Sequence, residues 1–492
     1  MGTVRPEEVP RLAPVSGRSG GRPGAGSLTR RMTSTTAAPG TPARGAAFRY
    51  EGYDLDPAAG RLTCRYSLDG RTFAEVVAFP GHIGADQGRW EDPAADAAAR
   101  WVFLLAGVSY YKTAAPPVVE LPTTPLRAAE RDFLRDVHLD GLGEFAYRNG
   151  LDLSDLRIEA PEMAPGDVPP PPTTTSTPAE RPLVPFGGGI DSIVTVELVR
   201  PLADAALFVV SRPGDRFAAI ERPAAVTGLP VVRAERAIDD QVLRSAELGF
   251  LNGHVPVTGI ISAIGVLAAV LDGRDALVMS NEWSSSVGNL DVGGRTVNHQ
   301  WSKSLAFETG FRGVLGLSLG TAVDYFSRLR PYTELFIAER FAALDDYHLT
   351  FQSCNRGFHI DPARRLDHWC GRCDKCVFID LILAPFLDAD RLAAVFGGAE
   401  PLADPALLPR FEALVDTSGA LKPWECVGEV NECRAAVALA AERPDRHATP
   451  VLLALVAQLG DRLPSPDAIE ALRHPVGEHC IPDAYATSDL LV

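Results

Sequence analysis

Lysine is almost missing from this chain. Of 47 basic residues only four are lysine (Lys112, Lys303, Lys375 and Lys422), and the other 43 are arginine. A chain with that bias carries Arg wherever either cation serves, so each remaining lysine marks a position where a compact ammonium is needed or one that survived by chance. Long apolar runs are lacking as well. The best candidate for a membrane span, Val255 to Leu271, is broken by Gly259, Ser262 and Gly265. The first residues hold arginines and glycines but no apolar signal-type stretch, so a cytoplasmic location and no membrane partner are expected. Positive charge is in deficit: the net charge of −16 argues against a nucleic-acid partner, though not against a small anion in a local pocket. A disulfide framework is missing too. Eight cysteines are sparse for 492 residues, and Cys370, Cys373 and Cys376 cluster, which in a cytosolic chain reads as metal binding or redox chemistry.

Apolar residues at 46% and charged residues at 22% fit an ordinary globular protein, long enough for roughly three domains. Residues 1–46 are rich in Gly, Pro, Arg, Ser and Thr and are expected to form a disordered tail, with Met32 as an alternative start. Residues 47–158 read as a small α+β N-terminal domain. In "FRYEGYDLDPAAGRLTCRYSLDGRTFAEVVAFP" apolar residues alternate around the turn Leu68-Asp69-Gly70, and helical patterns follow in "DPAADAAARWVFLLAGVSYY" and from Leu126 to Arg148. Residues 159–181 form a Pro/Thr-rich linker. In 182–395 the short apolar runs "LVPF", "AALFVVS", "PVVRA" and "DALVMS" alternate with helical segments such as Asp191–Arg200 and Thr258–Leu271. That alternation predicts an α/β fold, a parallel sheet with helices on both faces. Residues 396–492 read as a helical C-terminal region.

The segment "RPLVPFGGGIDSIVTVELVR" runs from a strand candidate through three glycines into an amphipathic helix. Glycines let the backbone approach an anion, and a helix N-terminus supplies free N–H donors, so Gly187, Gly188, Gly189 and Ser192 are candidate phosphate-binding residues. Asp191 would repel phosphate, so it either caps the helix or faces Mg²⁺. On the glycines alone, a plain strand-to-helix turn is at least as good a reading. The full string resembles the PP-loop signature Ser-Gly-Gly-x-Asp-Ser of the ATP pyrophosphatase superfamily, with Gly187 in place of the first Ser. That resemblance implies an adenine nucleotide alpha hydrolase-like fold, cleavage of ATP between its α- and β-phosphates, and a loop that grips the leaving pyrophosphate. It is not a Walker A loop, because no Gly-Lys-[Ser/Thr] follows.

"VMSNEWSSSVGNLDVGGRTVNHQWSKSLAFE" is unusually polar for a segment that follows a buried strand. Ligands bind beyond the carboxyl ends of parallel strands, which places Asn281 and Glu282 at such a site. Asn298, His299, Ser302 and Lys303 add donors, an imidazole and a cation within six residues. His299 alone is better read as a satisfied structural histidine; the whole group beside a phosphate loop favours function. His254, in "NGHVPVTG", reads as structural. Cys370-x-x-Cys373-x-x-Cys376 with Cys354 offers four thiolates for a tetrahedral site, suited to a structural Zn²⁺, with an Fe–S cluster as the competitor.

Taken in order, "PFGGGIDS", "SNEWSSSVGN", "VNHQWSKSLAFE", "WCGRCDKCVFIDLILAPF" and "KPWECVGE", with "FRYEGYDLD", "YSLDG" and "VSYYK" before them, resemble the UDP-N-acetyl-muramoyl-L-alanyl-L-glutamate epimerases. The resemblance covers about residues 48 to 490. It implies use of ATP and Mg²⁺, release of AMP and diphosphate, a UDP-muramoyl dipeptide as substrate, and a part in making the D-glutamate of peptidoglycan. Adenylation makes chemical sense of the residues, because it removes the carboxylate charge and leaves the α-carbon acidic enough for a side-chain base. Glu282, His299 and Lys303 are the acid–base and charge-stabilising candidates, and Asn281, Asn298 and Ser302 the substrate-binding ones. Two alternatives stay open: a PP-loop enzyme modifying tRNA or a deazaguanine, and a zinc-stabilised ATP sensor without turnover.

Overall fold

The computed structural model describes residues 43–82, 87–163, 180–359, 361–417 and 423–486. Nearly all of the expected tail with Met32, most of the Pro/Thr-rich linker, and Lys422 lie outside the described residues.

The N-terminal strands follow from alternation and one turn. β1 (Ala47–Asp56), β2 (Arg61–Leu68) and β3 (Arg71–Ala78) pair antiparallel. Asp69 and Gly70 both take positive φ (49° and 82°), the backbone of a two-residue hairpin turn whose twist matches the flanking strands. Leu62, Cys64, Tyr66 and Leu68 therefore share one face of β2 and are buried. The helix Pro93–Ala106 covers them; Asp92 caps it by accepting from the Ala94 N–H, and Pro93 occupies its first position. Tyr50 and Tyr66 satisfy their buried hydroxyls on the Leu104 and Phe103 carbonyls.

β4 (Val118–Glu120) and β5 (Arg157–Glu159) extend this group beyond β1 as parallel neighbours. The apolar runs downstream form β6 (Pro182–Pro185), β7 (Ala206–Ser211), β8 (Val231–Ala237) and β9 (Ala276–Met279). A hairpin of β10 (Leu290–Val292) and β11 (Arg295–Val297) stands apart, and β12 (Asp324–Ser327) closes the sheet. The sheet has ten strands in the order β12-β9-β6-β7-β8-β3-β2-β1-β4-β5. β12, β9, β6, β7 and β8 are mutually parallel, and β3 joins β8 antiparallel, so the sheet runs unbroken into the N-terminal strands. At that join Arg236 forms a buried bidentate pair with Glu75 (2.7 and 3.0 Å).

Alternate residues of the parallel strands feed two cores. Leu183, Phe208 and Leu277 point into one, with the helices Pro93–Ala106, Val257–Asp272 and Leu305–Leu319. Val184, Leu207 and Val278 point into the other, with Ile190–Val199, Glu334–Ala342, Asp374–Leu383 and the C-terminal helices Val430–Ala441 and Pro450–Leu459. The protein is thus α/β, with helices on both faces of the parallel half, as expected. β7 and β8 lie on one side of β6, and β9 and β12 on the other. The chain direction of winding switches between β6 and β9, which opens a crevice at their carboxyl ends. Among the described residues no helix is long and apolar enough to cross a membrane.

Candidate active site

β6 delivers Gly187-Gly188-Gly189 into that crevice, and the helix Ile190–Val199 begins at once. Gly188 must be glycine: its φ is 75°, and a Cβ there would sit 2.2 Å from the Ala219 carbonyl oxygen. The Gln352 N–H donates to the Gly188 carbonyl (3.2 Å) and pins the loop from the opposite side. Ser192 Oγ donates to the Gly189 carbonyl (3.0 Å). Of the two roles open to Asp191, no capping bond is made; Asp191 Oδ1 is buried without a hydrogen-bond partner.

Asp191 faces two further carboxylates. Glu282 follows β9, and Glu334 opens the helix Glu334–Ala342, whose cap is Thr333 accepting from the Phe336 N–H. The three residues offer oxygens within 4.8 Å of one another. Glu282 and Glu334 are 1% and 2% exposed, and one Oε2 of each is also unpartnered. Buried acceptors left facing each other without donors are a costly arrangement unless a cation completes it. Burial and the neighbouring Glu282 hold the Asp191 carboxyl up at about 6, and burial with Asp191 and Glu282 pushes Glu334 well above the carboxylate range. Lys303 and Lys375 are the nearest opposing charges. Arg330, 1% exposed, donates to the backbone carbonyls of both Glu282 (2.7 Å) and Lys303 and so fixes the two segments together.

Cys426 lines the same crevice, with His299 and Glu144 behind it. His299 Nδ1 lies 2.5 Å from Glu144 Oε2, and the imidazole neighbours the Cys426 thiol. Arg148 pairs with the other Glu144 oxygen (2.6 Å), and the His254 ring packs 4.4 Å from that of His299. Burial pulls His299 down, but Cys426 and Glu144 outweigh it and raise it to about 9. Burial and the adjacent His299 lower His254 to about 4. Burial pushes the Cys426 thiol up; Lys303, the His299 hydrogen bond and Lys375 overcome that and bring it down to about 7.

Comparison with known proteins follows the same outline. Residues 40–328 match the MurL N-terminal domain and residues 350–469 the MurL C-terminal domain. The chain is 38% identical over 440 residues to the UDP-N-acetyl-alpha-D-muramoyl-L-alanyl-L-glutamate epimerase of Xanthomonas oryzae, covering 89% of this chain and 95% of that protein. It is 39% identical over 445 residues to the Salinispora tropica protein of the same name, covering 89% and 94%. The Micromonospora protein of that name is 37% identical over 452 residues, covering 89% and 97%. The chain belongs to this MurL epimerase family. No solved structure matches it.

In this MurL family member, Gly187, Gly189, Asp191, Ser192, Asn281 and Lys303 line one cavity of ≈ 530 Å³, a volume in the range of small-ligand sites. Gly188 stands behind it, and Glu282 and His299 flank it through Asp191 and Cys426. Asn298 and Ser302 are not on its lining. The Asn298 amide is spent on the loop, donating to the Ser285 carbonyl (2.9 Å) and accepting from the Gln300 N–H (2.8 Å). Glu334, Arg330, Glu144 and Cys426 went unremarked as site residues in the sequence, and His254 was read as structural. Only Cys426 carried a signal, within "KPWECVGE"; the others are distant in sequence and common in type. The lysine scarcity held information, since Lys303 and Lys375 both line the cavity.

The four expected cysteines come together beside it. Sγ–Sγ distances are 3.9 Å for Cys354–Cys373, 3.6 Å for Cys370–Cys376 and 3.4 Å for Cys373–Cys376. A tetrahedral zinc with Zn–S near 2.3 Å needs thiolates about 3.8 Å apart, so the set fits such an ion. Cys373 precedes the helix Asp374–Leu383 and Cys376 lies in its first turn, with Lys375 between them. Ser353 and Asn355, flanking Cys354, line the cavity with Lys375. The cysteine cluster is therefore the scaffold for one wall of the cavity.

Proposed function

We propose that this protein is an ATP-dependent epimerase of peptidoglycan synthesis. It inverts the terminal L-Glu of UDP-N-acetylmuramoyl-L-alanyl-L-glutamate to D-Glu through an acyl-adenylate, releasing AMP and diphosphate. The observation that carries the reading is that Gly187, Gly189 and Asp191 line one cavity, with Asp191 grouped at its edge with Glu282 and Glu334. Family membership supports the substrate and the inversion, both named in the relatives. The loop and the N-terminus of Ile190–Val199 suit the β- and γ-phosphates. Phe208, Phe217 and Ile220 give the cavity an apolar end suited to adenine.

The unpartnered oxygens of Asp191, Glu282 and Glu334 fit Mg²⁺, a hard cation that takes oxygen ligands. When bound, it supplies charge neutralisation for the polyphosphate. Lys303 and Lys375 supply fixed positive charge where the carboxylate of the substrate meets the α-phosphate. A structural Zn²⁺ at Cys354, Cys370, Cys373 and Cys376 would keep Lys375 in place. The hydrogen on the glutamyl α-carbon is then labile only after activation.

Incubating the L-Ala-L-Glu nucleotide with enzyme in deuterated water tests this. D-Glu carrying α-deuterium, with one AMP per inversion and only when ATP is present, is expected. Exchange without ATP would point to a cofactor-free or pyridoxal route, and amidation or ligation without inversion would discard the epimerase.

A further inference from the structure

We propose that the thiolate of Cys426 is the catalytic residue that takes the α-proton from the activated glutamyl group. The inference rests on the epimerase reading above and names its base. Cys426 is the cysteine on the lining of the phosphate-loop cavity; Cys354, Cys370, Cys373 and Cys376 sit in their own cluster, and Cys64 and Cys433 are buried in the cores. The short segment that carries it is fixed from three sides. Lys375 Nζ donates to the Cys426 carbonyl (2.6 Å), Asn355 Nδ2 donates to Glu425 (2.7 Å), and Trp424 packs against Tyr147 (5.7 Å between rings) beneath Arg148. A side chain held this way is positioned, not merely exposed.

Its surroundings are those of an activated thiol. His299 neighbours the sulfur while Glu144 holds Nδ1 of the same ring, and Lys303 and Lys375 line the same cavity as the thiol. A base oriented by a third group is the recurring arrangement for activating a thiol, and neighbouring cations keep it ionised near neutral pH. The other candidates are less suited. His299, raised by Glu144 and Cys426, is protonated at neutral pH and has no lone pair to offer. Glu282 is directed at Asp191 and Glu334.

In the step itself the Cα–H bond breaks and the proton goes to Sγ. The bonding electron pair moves into the acyl carbonyl to give an enolate, whose charge faces Lys303. Water protonates the opposite face, the thiol returns its proton to solvent, and the thiolate is restored with no net consumption of acid.

The test follows two readouts in deuterated water, with the dipeptide nucleotide, ATP and Mg²⁺, for the parent enzyme, Cys426→Ala and the near-isosteric Cys426→Ser. Thermal melting confirms that at least the Ser variant is folded. Deuterium incorporation and D-Glu formation should fall by about a hundredfold or more in both, while pyrophosphate release still depends on the dipeptide nucleotide. Parent-rate exchange in the folded Ser variant overturns the assignment. So does loss of pyrophosphate release in step with exchange, which would place Cys426 in nucleotide binding. A dipeptidyl thioester on Cys426 recovered after acid quench overturns it in favour of a nucleophile. If the parent releases no pyrophosphate with this substrate, the epimerase reading itself has failed and the proposal falls with it.

Discussion

Asp191 opens a helix yet caps nothing, and its buried Oδ1 has no partner. Its presence therefore costs the fold free energy in the absence of a cation, because Glu282 and Glu334 bring further buried, unpartnered acceptor oxygens against it. Asp191→Asn should then release pyrophosphate at least about a hundredfold more slowly, the scale for losing one preorganised charge contact. The same variant should melt no lower than the parent in Mg²⁺-free buffer. A lower melting temperature would mean that the carboxylate serves the fold, and parent-rate pyrophosphate release would remove it from the nucleotide site. This residue was legible in the sequence because it stands two positions after the last of the three glycines. Glu334 was not, since it lies far along the chain and a Glu at a helix start ordinarily reads as a favourable charge near the dipole. Asn298 shows the opposite failure: a polar residue in a promising stretch whose amide is consumed by its own loop.

At the scale of elements, period and turn chemistry were enough for most strands and for the long helices. The Asp69-Gly70 turn and the alternation around it gave the hairpin, and four apolar runs gave β6 to β9. β4, β5 and β12 have three or four residues each, too few for a period to register, and they form because neighbouring strands offer them an edge. The cysteine cluster was legible from spacing, but its meaning for the cavity was not, because only folding brings the thiols' sequence neighbours Ser353, Asn355 and Lys375 onto the lining with the Gly187–Gly189 loop. Cys373→Ser tests that link. Bound metal should fall from about one zinc per chain to nearly none, stability should drop, and the KM for ATP should rise as the wall loosens. A parent protein that contains neither zinc nor iron would exclude a metal-built wall.

For the whole molecule, the sheet and the site both cross between the N-terminal strands and the parallel half. β3 pairs with β8, and the Glu75–Arg236 bridge is buried at their join, hydrogen-bonded in addition to Tyr110 and Ser109. The helix Val257–Asp272 shares its core with Pro93–Ala106, so neither half covers its own apolar surface. Glu144, from the N-terminal half, completes the His299–Cys426 arrangement in the other. The sequence texture, with its proline-rich stretch between the two, suggests separable domains because a contact across 161 residues leaves no local pattern. Splitting the chain between residues 163 and 180 and producing the pieces separately tests how the halves depend on each other. The C-terminal piece alone should show no cooperative thermal transition, since it would expose the β8 edge and the apolar face of Val257–Asp272. Produced together, the two pieces should co-purify and regain ATP-dependent α-exchange. A C-terminal piece that melts cooperatively by itself would show that the parallel half is a complete domain. In that case the buried Glu75–Arg236 bridge would be a docking contact instead of part of one fold, and Glu75→Ala would leave the melting of the intact chain nearly unchanged instead of lowering its stability by about 3–5 kcal/mol.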